Sequence, residues 1–182
     1  SKNNILENLN LEIDKRKKIG ILGPSGSGKS TFLDIFTGII DEYEGEVLVD
    51  GKNIKDGIRS WRNSISYLSQ SSAFLNDTIK NNILLGSNEI NQELIYKSIN
   101  NSLIGELVNS LPLKENTIIG ENGMKLSGGE KQRLALARIF YLQRDILILD
   151  ESTNALDEDT EKKILDNIWK NFKNKTIIQV TH

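Results

Sequence analysis

The sequence lacks cysteine, so it can form neither a disulfide framework nor a thiolate metal site. This absence favours a reducing compartment such as the cytoplasm. The sequence also lacks any run of about 18 consecutive apolar residues, the length that suggests a membrane span, and it has no charged-then-apolar signal pattern at its start. We therefore expect the chain itself to be soluble.

Neither sign of charge is in large excess. Lys and Arg number 23 and Asp and Glu 25, which gives a formal net charge of -2 and argues against a nucleic-acid partner. There is no internal repeat or low-complexity segment, and 182 residues are enough to bury a hydrophobic core. We expect one domain. Because the chain begins at Ser1 and stops at His182 directly after an apolar run, we expect both ends to be cuts.

Several segments have the composition and spacing of β-strands. Residues 9–13 alternate apolar and polar as a half-buried strand does, whereas the unbroken apolar run at 145–150 suits a strand buried on both faces. Residues 46–54 predict a strand that runs into an Asp50–Gly51 turn. The remaining predicted strands lie at 18–22, 64–70 and 176–180.

Apolar residues at helical spacing lie between these strands. One helix is predicted from Lys29, with Gly38 placed to end it in a left-handed conformation. A second carries Ile164, Leu165, Ile168 and Trp169 on one side. Short helical segments at 78–84, 93–99 and 104–111 indicate an inserted helical subdomain. Strands that alternate with helices predict an α/β fold with a mainly parallel sheet covered on both faces.

The segment GPSGSGKST contains the pattern of a phosphate-binding loop. Glycines let the backbone curl so that its N–H groups point inward, and the positive end of the following helix attracts phosphate. Lys29 supplies a positive charge to the β- and γ-phosphates, and the Ser30 hydroxyl is placed to ligate Mg²⁺. A chance match is expected in about 1% of chains this long. The candidate ATP-binding residues are Gly23, Pro24, Ser25, Gly26, Ser27, Gly28, Lys29, Ser30 and Thr31.

Two acidic residues stand at the end of the buried strand at 145–150. Asp150 is the candidate for a second magnesium ligand. Glu151 emerges at the same strand end, where a carboxylate could orient or deprotonate the attacking water. Paired acids seen alone are more often turn or helix-capping residues, but the phosphate-binding loop in the same chain favours the catalytic interpretation.

The segment LSGGEKQR opens a helix, with Ser127 in the cap position and Gly128 and Gly129 behind it. Such an exposed helix amino terminus is able to bind anionic oxygens, although by itself this is an ordinary capped helix start.

In their order along the chain, GPSGSGKST, Gln70, LSGGEKQR, ILILDE and His182 resemble the nucleotide-binding domain of an ABC transporter. The resemblance implies a P-loop NTPase core with an N-terminal antiparallel β subdomain and an inserted α-helical subdomain. It implies a single domain over residues 1–182, truncated at both ends. Residues 1–70 and 141–182 would form the nucleotide-binding core, and 71–140 the helical subdomain with the signature motif.

The resemblance also assigns roles to single residues. It identifies 23–31 as the Walker A loop and 146–150 as the Walker B strand, and Glu151 as the catalytic carboxylate. Gln70 matches the glutamine that approaches Mg²⁺ and the attacking water, and His182 matches the histidine that contacts the γ-phosphate. Alone, Gln70 would be a solvated surface residue and His182 an inert tail.

Domains of this family pair head to tail, which implies a second nucleotide-binding domain as partner. Ser127, Gly128 and Gly129 of one domain would close over the ATP held by the Walker A loop of the other. The NALD segment at 154–157 resembles the D-loop that crosses the interface. Asp157 could equally cap the following helix, and both roles can hold.

Two further segments, 73–83 and 117–130, resemble those of exporters. The implied function is the ATP-binding and ATP-hydrolysing domain of an ABC exporter, with ATP and Mg²⁺ as cofactors. A transmembrane domain on the same polypeptide would place it at the cytoplasmic face of the membrane. The polar-loop interpretation of 117–130 stays open, and so does a soluble ABC ATPase of DNA repair or translation. The sequence departs from the family in lacking an adenine-stacking aromatic residue before Ile5 and in having Arg16 at a turn position where glycine is common.

Overall fold

A parallel sheet organises the computed structural model, which describes residues 5–69, 72–150 and 155–181. Within these residues the sheet has the strand order β1-β6-β5-β4, with all neighbours parallel. A separate antiparallel hairpin pairs β2 with β3. The strands are β1 (Lys18–Leu22), β2 (Leu48–Val49), β3 (Lys52–Asn53), β4 (Ile65–Leu68), β5 (Ile146–Asp150) and β6 (Thr176–Thr181).

Helices cover both faces of the sheet. The α-helices of the described residues are α1 (Lys29–Phe36), α2 (Ile58–Asn63), α3 (Ile79–Leu84), α4 (Gln92–Asn101), α5 (Gly105–Ser110), α6 (Gly128–Leu142) and α7 (Glu158–Asn171). Short 3-10 helices lie at Ile54–Gly57, Lys114–Asn116 and Glu121–Gly123. In the described part of the chain, every helix is too short or too polar to cross a membrane.

Alternate residues of the central strands enter two different cores. Leu147 and Leu149 belong to the first core, which they share with residues of α3 to α7. Ile148 belongs to the second core with Ile178 of β6 and Leu33 of α1. Since successive strand residues point to opposite faces, this alternation confirms the prediction that the strand at 145–150 is buried on both sides. The α/β fold class is confirmed as well.

The predicted strand at residues 9–13 is wrong. The segment forms no strand, and Leu9 and Leu11 are each 55% exposed. A strand needs a neighbouring edge for its backbone hydrogen bonds, whereas alternation reports only which side chains are apolar. Asn8 and Arg16, on either side of the segment, have positive φ angles of 52° and 64°, which lie outside the β region.

The antiparallel element expected near the N-terminus is present as the β2–β3 hairpin. Asp50 and Gly51 connect the strands with φ angles of 50° and 77°. Two consecutive left-handed residues produce the type of turn that matches the twist of a hairpin. The prediction of an Asp50–Gly51 turn is therefore confirmed.

Gly38 ends α1 as predicted, with a φ of 72°. Its N–H donates to the carbonyl oxygen of Ile35 at 3.0 Å, and the N–H of Ile39 donates to that of Asp34 at 2.7 Å. This pair of bonds is the Schellman motif, which satisfies the last carbonyl groups of a helix.

Candidate functional site

The phosphate-binding loop and Asp150 lie at the same edge of the sheet. β1 ends at Leu22, whose register partner on β6 is Thr181, and β5 ends at Asp150, whose partner is Val180. One strand, β6, separates β1 from β5, so the two strand ends are about 10 Å apart. Ligands of open α/β sheets bind outside the carboxyl ends of the strands, and this edge is therefore the candidate site.

The loop between β1 and α1 has the curled backbone that its glycines predict. Gly26 and Gly28 have φ angles of 80° and 90°, a conformation that glycine adopts without steric cost. A Cβ atom on Gly23 would lie 2.7 Å from Oγ of Ser27, so a side chain at position 23 would displace the Ser27 hydroxyl. No side chain caps α1 at Gly28, which leaves the first N–H groups of the helix for a ligand.

Lys29 folds back over this loop. Its Nζ donates to the carbonyl oxygens of Gly23 at 2.6 Å and Pro24 at 3.1 Å. The ammonium group therefore lies within the curl, where phosphate oxygens could replace the two carbonyl groups as partners. Ser30, the next residue of α1, is exposed.

Asp150 is held by a residue that the sequence analysis did not identify. The hydroxyl group of Tyr67 on β4 donates to Oδ2 of Asp150 at 2.8 Å. Burial, followed by the hydrogen bond to Asp150 and the charges of Asp150 and Asp34, raises the pKa of Tyr67 well above its usual value. Tyr67 therefore stays a protonated donor at neutral pH.

The donors at this edge suit Mg²⁺. The Asp150 carboxylate and the Ser30 hydroxyl offer the hard oxygen ligands that this ion prefers. Among the described residues, no three or more His, Cys, Asp or Glu side chains lie close enough together to hold a metal ion by themselves. The residues thus fit a magnesium ion that takes its other ligands from nucleotide phosphates and water, as is usual for Mg²⁺.

Ser127 begins α6 with a capping box. Its backbone N–H donates to Oε2 of Glu130 at 2.7 Å, and the N–H of Glu130 donates to Oγ of Ser127 at 3.4 Å. The first of these bonds lowers the pKa of Glu130. The predicted helix start is confirmed, with Ser127 and Gly128 exposed at its tip.

The start of α6 packs against the described end of the NALD segment. A Cβ atom on Gly129 would lie 3.4 Å from the carbonyl oxygen of Ala155, and one on Gly128 4.0 Å from Cβ of Ala155. Asp157 accepts a hydrogen bond from the N–H of Thr160 at 2.9 Å. The helix-capping role of Asp157 is confirmed, and its D-loop role stays a prediction.

Helix α6, which begins within the LSGG residues, and helix α1, which follows the phosphate-binding loop, lie on different faces of the sheet. α6 packs against α3, α4 and β4 and contributes to the first core, whereas α1, which follows the loop, contributes to the second core. A single chain therefore presents Ser127 and Lys29 at the ends of helices on opposite sides of the sheet.

The two exporter-like segments lie next to each other. The N–H of Ile79 donates to the carbonyl oxygen of Thr117 at 3.0 Å, and the N–H of Ile119 donates to the carbonyl oxygen of Asp77 at 3.1 Å. Thr78 and Ile118 form an isolated antiparallel bridge between them. Their large exposed apolar side chains are Leu75, Ile118 and Met124.

The three predicted catalytic residues, Gln70, Glu151 and His182, lie outside the described residues. Asn154 of the NALD segment does as well. Their roles stay predictions.

Comparison with known proteins extends the match beyond the motifs. The sequence profile of the family described as ABC transporter matches residues 6–154. The chain is 40% identical over 179 residues to an ATP-dependent lipid A-core flippase of Idiomarina loihiensis, a match that covers 97% of this chain and 31% of the flippase. It is 40% identical over 181 residues to a mitochondrial iron-sulfur clusters transporter of Candida glabrata, covering 98% of this chain and 25% of the transporter.

The structure is similar to that of a bacterial Atm1-family ABC exporter with ATP bound. The TM-score is 0.92 at 36% sequence identity, and the match covers 98% of this chain and 31% of that one. The chain thus spans between a quarter and a third of the length of the relatives it matches.

Proposed function

Since this chain belongs to the ABC transporter family, we propose that it binds and hydrolyses ATP to drive an exporter that moves an unidentified substrate across a membrane. One observation carries the proposal: a phosphate loop with its lysine and a strand-end carboxylate lie at the same edge of a parallel sheet. The relatives described above are a flippase, a transporter and an exporter, and they give no support to a soluble ATPase of DNA repair or translation.

The described residues divide the binding of MgATP among them. The N–H groups of residues 23–31 and the Lys29 ammonium would bind the phosphates, while Ser30 and Asp150 would ligate Mg²⁺. A Mg²⁺ ion held by these two residues would supply positive charge against the phosphates. Glu151 would orient or deprotonate the attacking water, with Gln70 near the metal and His182 at the γ-phosphate.

Hydrolysis in this proposal needs two domains paired head to tail. Helix α6 lies on the face of the sheet opposite to α1, and Ser127, Gly128 and Gly129 lie at its start. A second domain could bring its own signature to the ATP of the first. Each ATP would then lie between the Walker A loop of one domain and the signature of the other.

A membrane domain on the same polypeptide is the second proposed partner. The matched relatives are three to four times as long as this chain, which leaves room for such a domain. The paired segments 73–83 and 117–130, with their exposed apolar side chains, are the proposed surface for it. The protein would then lie at the cytoplasmic face of the membrane. The division into a core at 1–70 and 141–182 and a helical subdomain at 71–140 stays part of this proposal.

Removal of the Lys29 charge tests the nucleotide site. Lys29→Ala is expected to weaken ATP binding more than about tenfold, because the ammonium group faces the β- and γ-phosphates while the loop fold depends on its glycines. Titration calorimetry measures the change. Lys97→Ala is the matched control, since Lys97 lies on α4 and forms an exposed ion pair with Glu93. Equal affinities of wild type and Lys29→Ala would exclude this site.

A further inference from the structure

Tyr67 reaches Asp150 across two neighbouring strands. The two residues are 83 positions apart in the sequence, yet the Tyr67 hydroxyl lies 2.8 Å from Oδ2 of Asp150. The register of the strands explains this contact, because Tyr67 is opposite Ile148 on β5. Asp150, two residues beyond Ile148, points to the same face of the sheet as Tyr67.

The hydroxyl group is not needed to pair the strands. The backbone of β4 pairs with that of β5 over Ile65–Leu68 and Ile146–Leu149. Asp150 lies one residue past this paired segment and is matched only with Val180 of β6. The Tyr67 hydroxyl therefore binds the carboxylate beyond the point at which β4 and β5 stop pairing.

The geometry of Tyr67 suits a donor that fixes a metal ligand. Its ring is half-buried and packs against the second core, which limits the positions that the hydroxyl can take. Donation to Oδ2 holds the carboxylate in one orientation, and a carboxylate has a second oxygen with which to ligate a cation. Groups that hydrogen-bond a metal ligand orient it and strengthen metal binding.

We propose that Tyr67 is a positioning residue for magnesium, which acts by holding Asp150 through its hydroxyl group. The inference rests on the proposed function, in which Asp150 ligates the metal of MgATP. Tyr67 itself touches neither nucleotide nor metal.

Tyr67→Phe tests this role because it removes one oxygen atom and keeps the packed ring. The probe is Mn²⁺ bound to the full-length protein in the presence of a saturating non-hydrolysable ATP analogue, with free Mn²⁺ counted by electron paramagnetic resonance. The dissociation constant for Mn²⁺ is expected to rise about tenfold, the low end of the range for such supporting groups. Affinity for the analogue in the presence of a chelator is expected to stay within about twofold of wild type.

Two controls separate positioning from a structural role. Tyr96→Phe removes a hydroxyl on the exposed side of α4, 3.5 Å from Glu115, and is expected to leave the Mn²⁺ affinity unchanged. In an Asp150→Asn background, Tyr67→Phe is expected to add less than about a twofold loss, because the carboxylate through which it acts is gone.

The outcomes distinguish this inference from the function on which it rests. If Tyr67→Phe binds Mn²⁺ as tightly as the wild type or more tightly, the positioning role is overturned. The proposed function is unaffected by that result, provided that the wild-type protein binds both metal and nucleotide. A further tenfold loss in the Asp150→Asn background would also overturn it. Failure of the wild-type protein to bind the analogue would instead overturn the proposed function.

Discussion

At the scale of single residues, two glycines with nearly the same φ angle have different surroundings. Gly38 and Gly51 have φ angles of 72° and 77°. A Cβ atom on Gly38 would lie 2.2 Å from Cδ1 of Ile58, whereas one on Gly51 would have no neighbour within 4 Å. Gly38 is buried beside the second core, and Gly51 is exposed in the hairpin turn.

These surroundings predict unequal effects of the same substitution. Gly51→Ala is expected to lower the free energy of unfolding by about 1 kcal/mol, the cost of a left-handed alanine. Gly38→Ala adds the displacement of Ile58 and is expected to cost about 2–4 kcal/mol in total. Urea unfolding measures both values. Equal losses in the two variants would show that α1 and Ile58 do not meet as described.

Single site residues could be predicted where the sequence pattern that marks them lies within a few consecutive residues. Lys29 and Ser30 follow from a motif contained in nine consecutive residues, and the strand end that carries Asp150 follows from an apolar run. Tyr67 could not be found in this way. Its role depends on β4 lying next to β5, and neither strand's own sequence specifies its neighbour.

At the scale of elements, the amino end of α6 combines a structural cap with the proposed signature. Ser127 and Glu130 exchange backbone and side-chain hydrogen bonds there. The bond from the Ser127 N–H lowers the pKa of Glu130 below its ordinary value. A lowered carboxyl pKa in the folded state means that the ionised form stabilises the helix start. That contribution is complete above the ordinary pKa and is lost as the pH falls through the lowered value.

Acidification should therefore loosen the start of α6 before it affects the rest of the helix. Amide hydrogen exchange at residues 127–130, corrected for intrinsic rates, is expected to lose protection as the pH falls below about 4.3, the usual glutamate pKa. Glu130→Gln keeps an acceptor oxygen but does not titrate, so its protection should not change over this range. An equal pH dependence in both proteins would contradict the capping role of the Glu130 charge.

Elements were predicted where their sequence determines their structure without a partner. The start of α6 and the end of α1 were predicted because capping serine and left-handed glycine satisfy the helix's own backbone groups. Residues 9–13 failed because a strand depends on an edge elsewhere. The same argument explains why the sequence could not predict the order β1-β6-β5-β4, although it predicted each of these strands.

At the scale of the whole molecule, the proposed ATP hydrolysis needs site residues from two copies of the domain. Helices α1 and α6, which carry the predicted Walker A and signature residues, lie on opposite faces of one sheet. The order of the motifs sufficed to predict the family and its α/β fold. The geometry of the proposed domain pair, however, depends on contacts between two domains. No sequence pattern within a single domain specifies those contacts.

We propose that ATP closes a pair of these domains and that hydrolysis at Glu151 reopens it. Glu151→Gln keeps the shape of the side chain and removes the charge that the water step requires. In the full-length protein, ATP hydrolysis is expected to fall at least about a hundredfold, within the range that general bases contribute. Asp150→Asn is the matched control, because it should weaken magnesium binding and so prevent the domains from closing.

The most direct measurement is size-exclusion chromatography of the isolated chain carrying Glu151→Gln, with and without MgATP. Uncleaved ATP should hold two domains together, so that MgATP moves the variant from the monomer to the dimer position while Asp150→Asn remains a monomer. A Glu151→Gln variant that stays monomeric with ATP bound, or that hydrolyses ATP at the wild-type rate, would contradict the account.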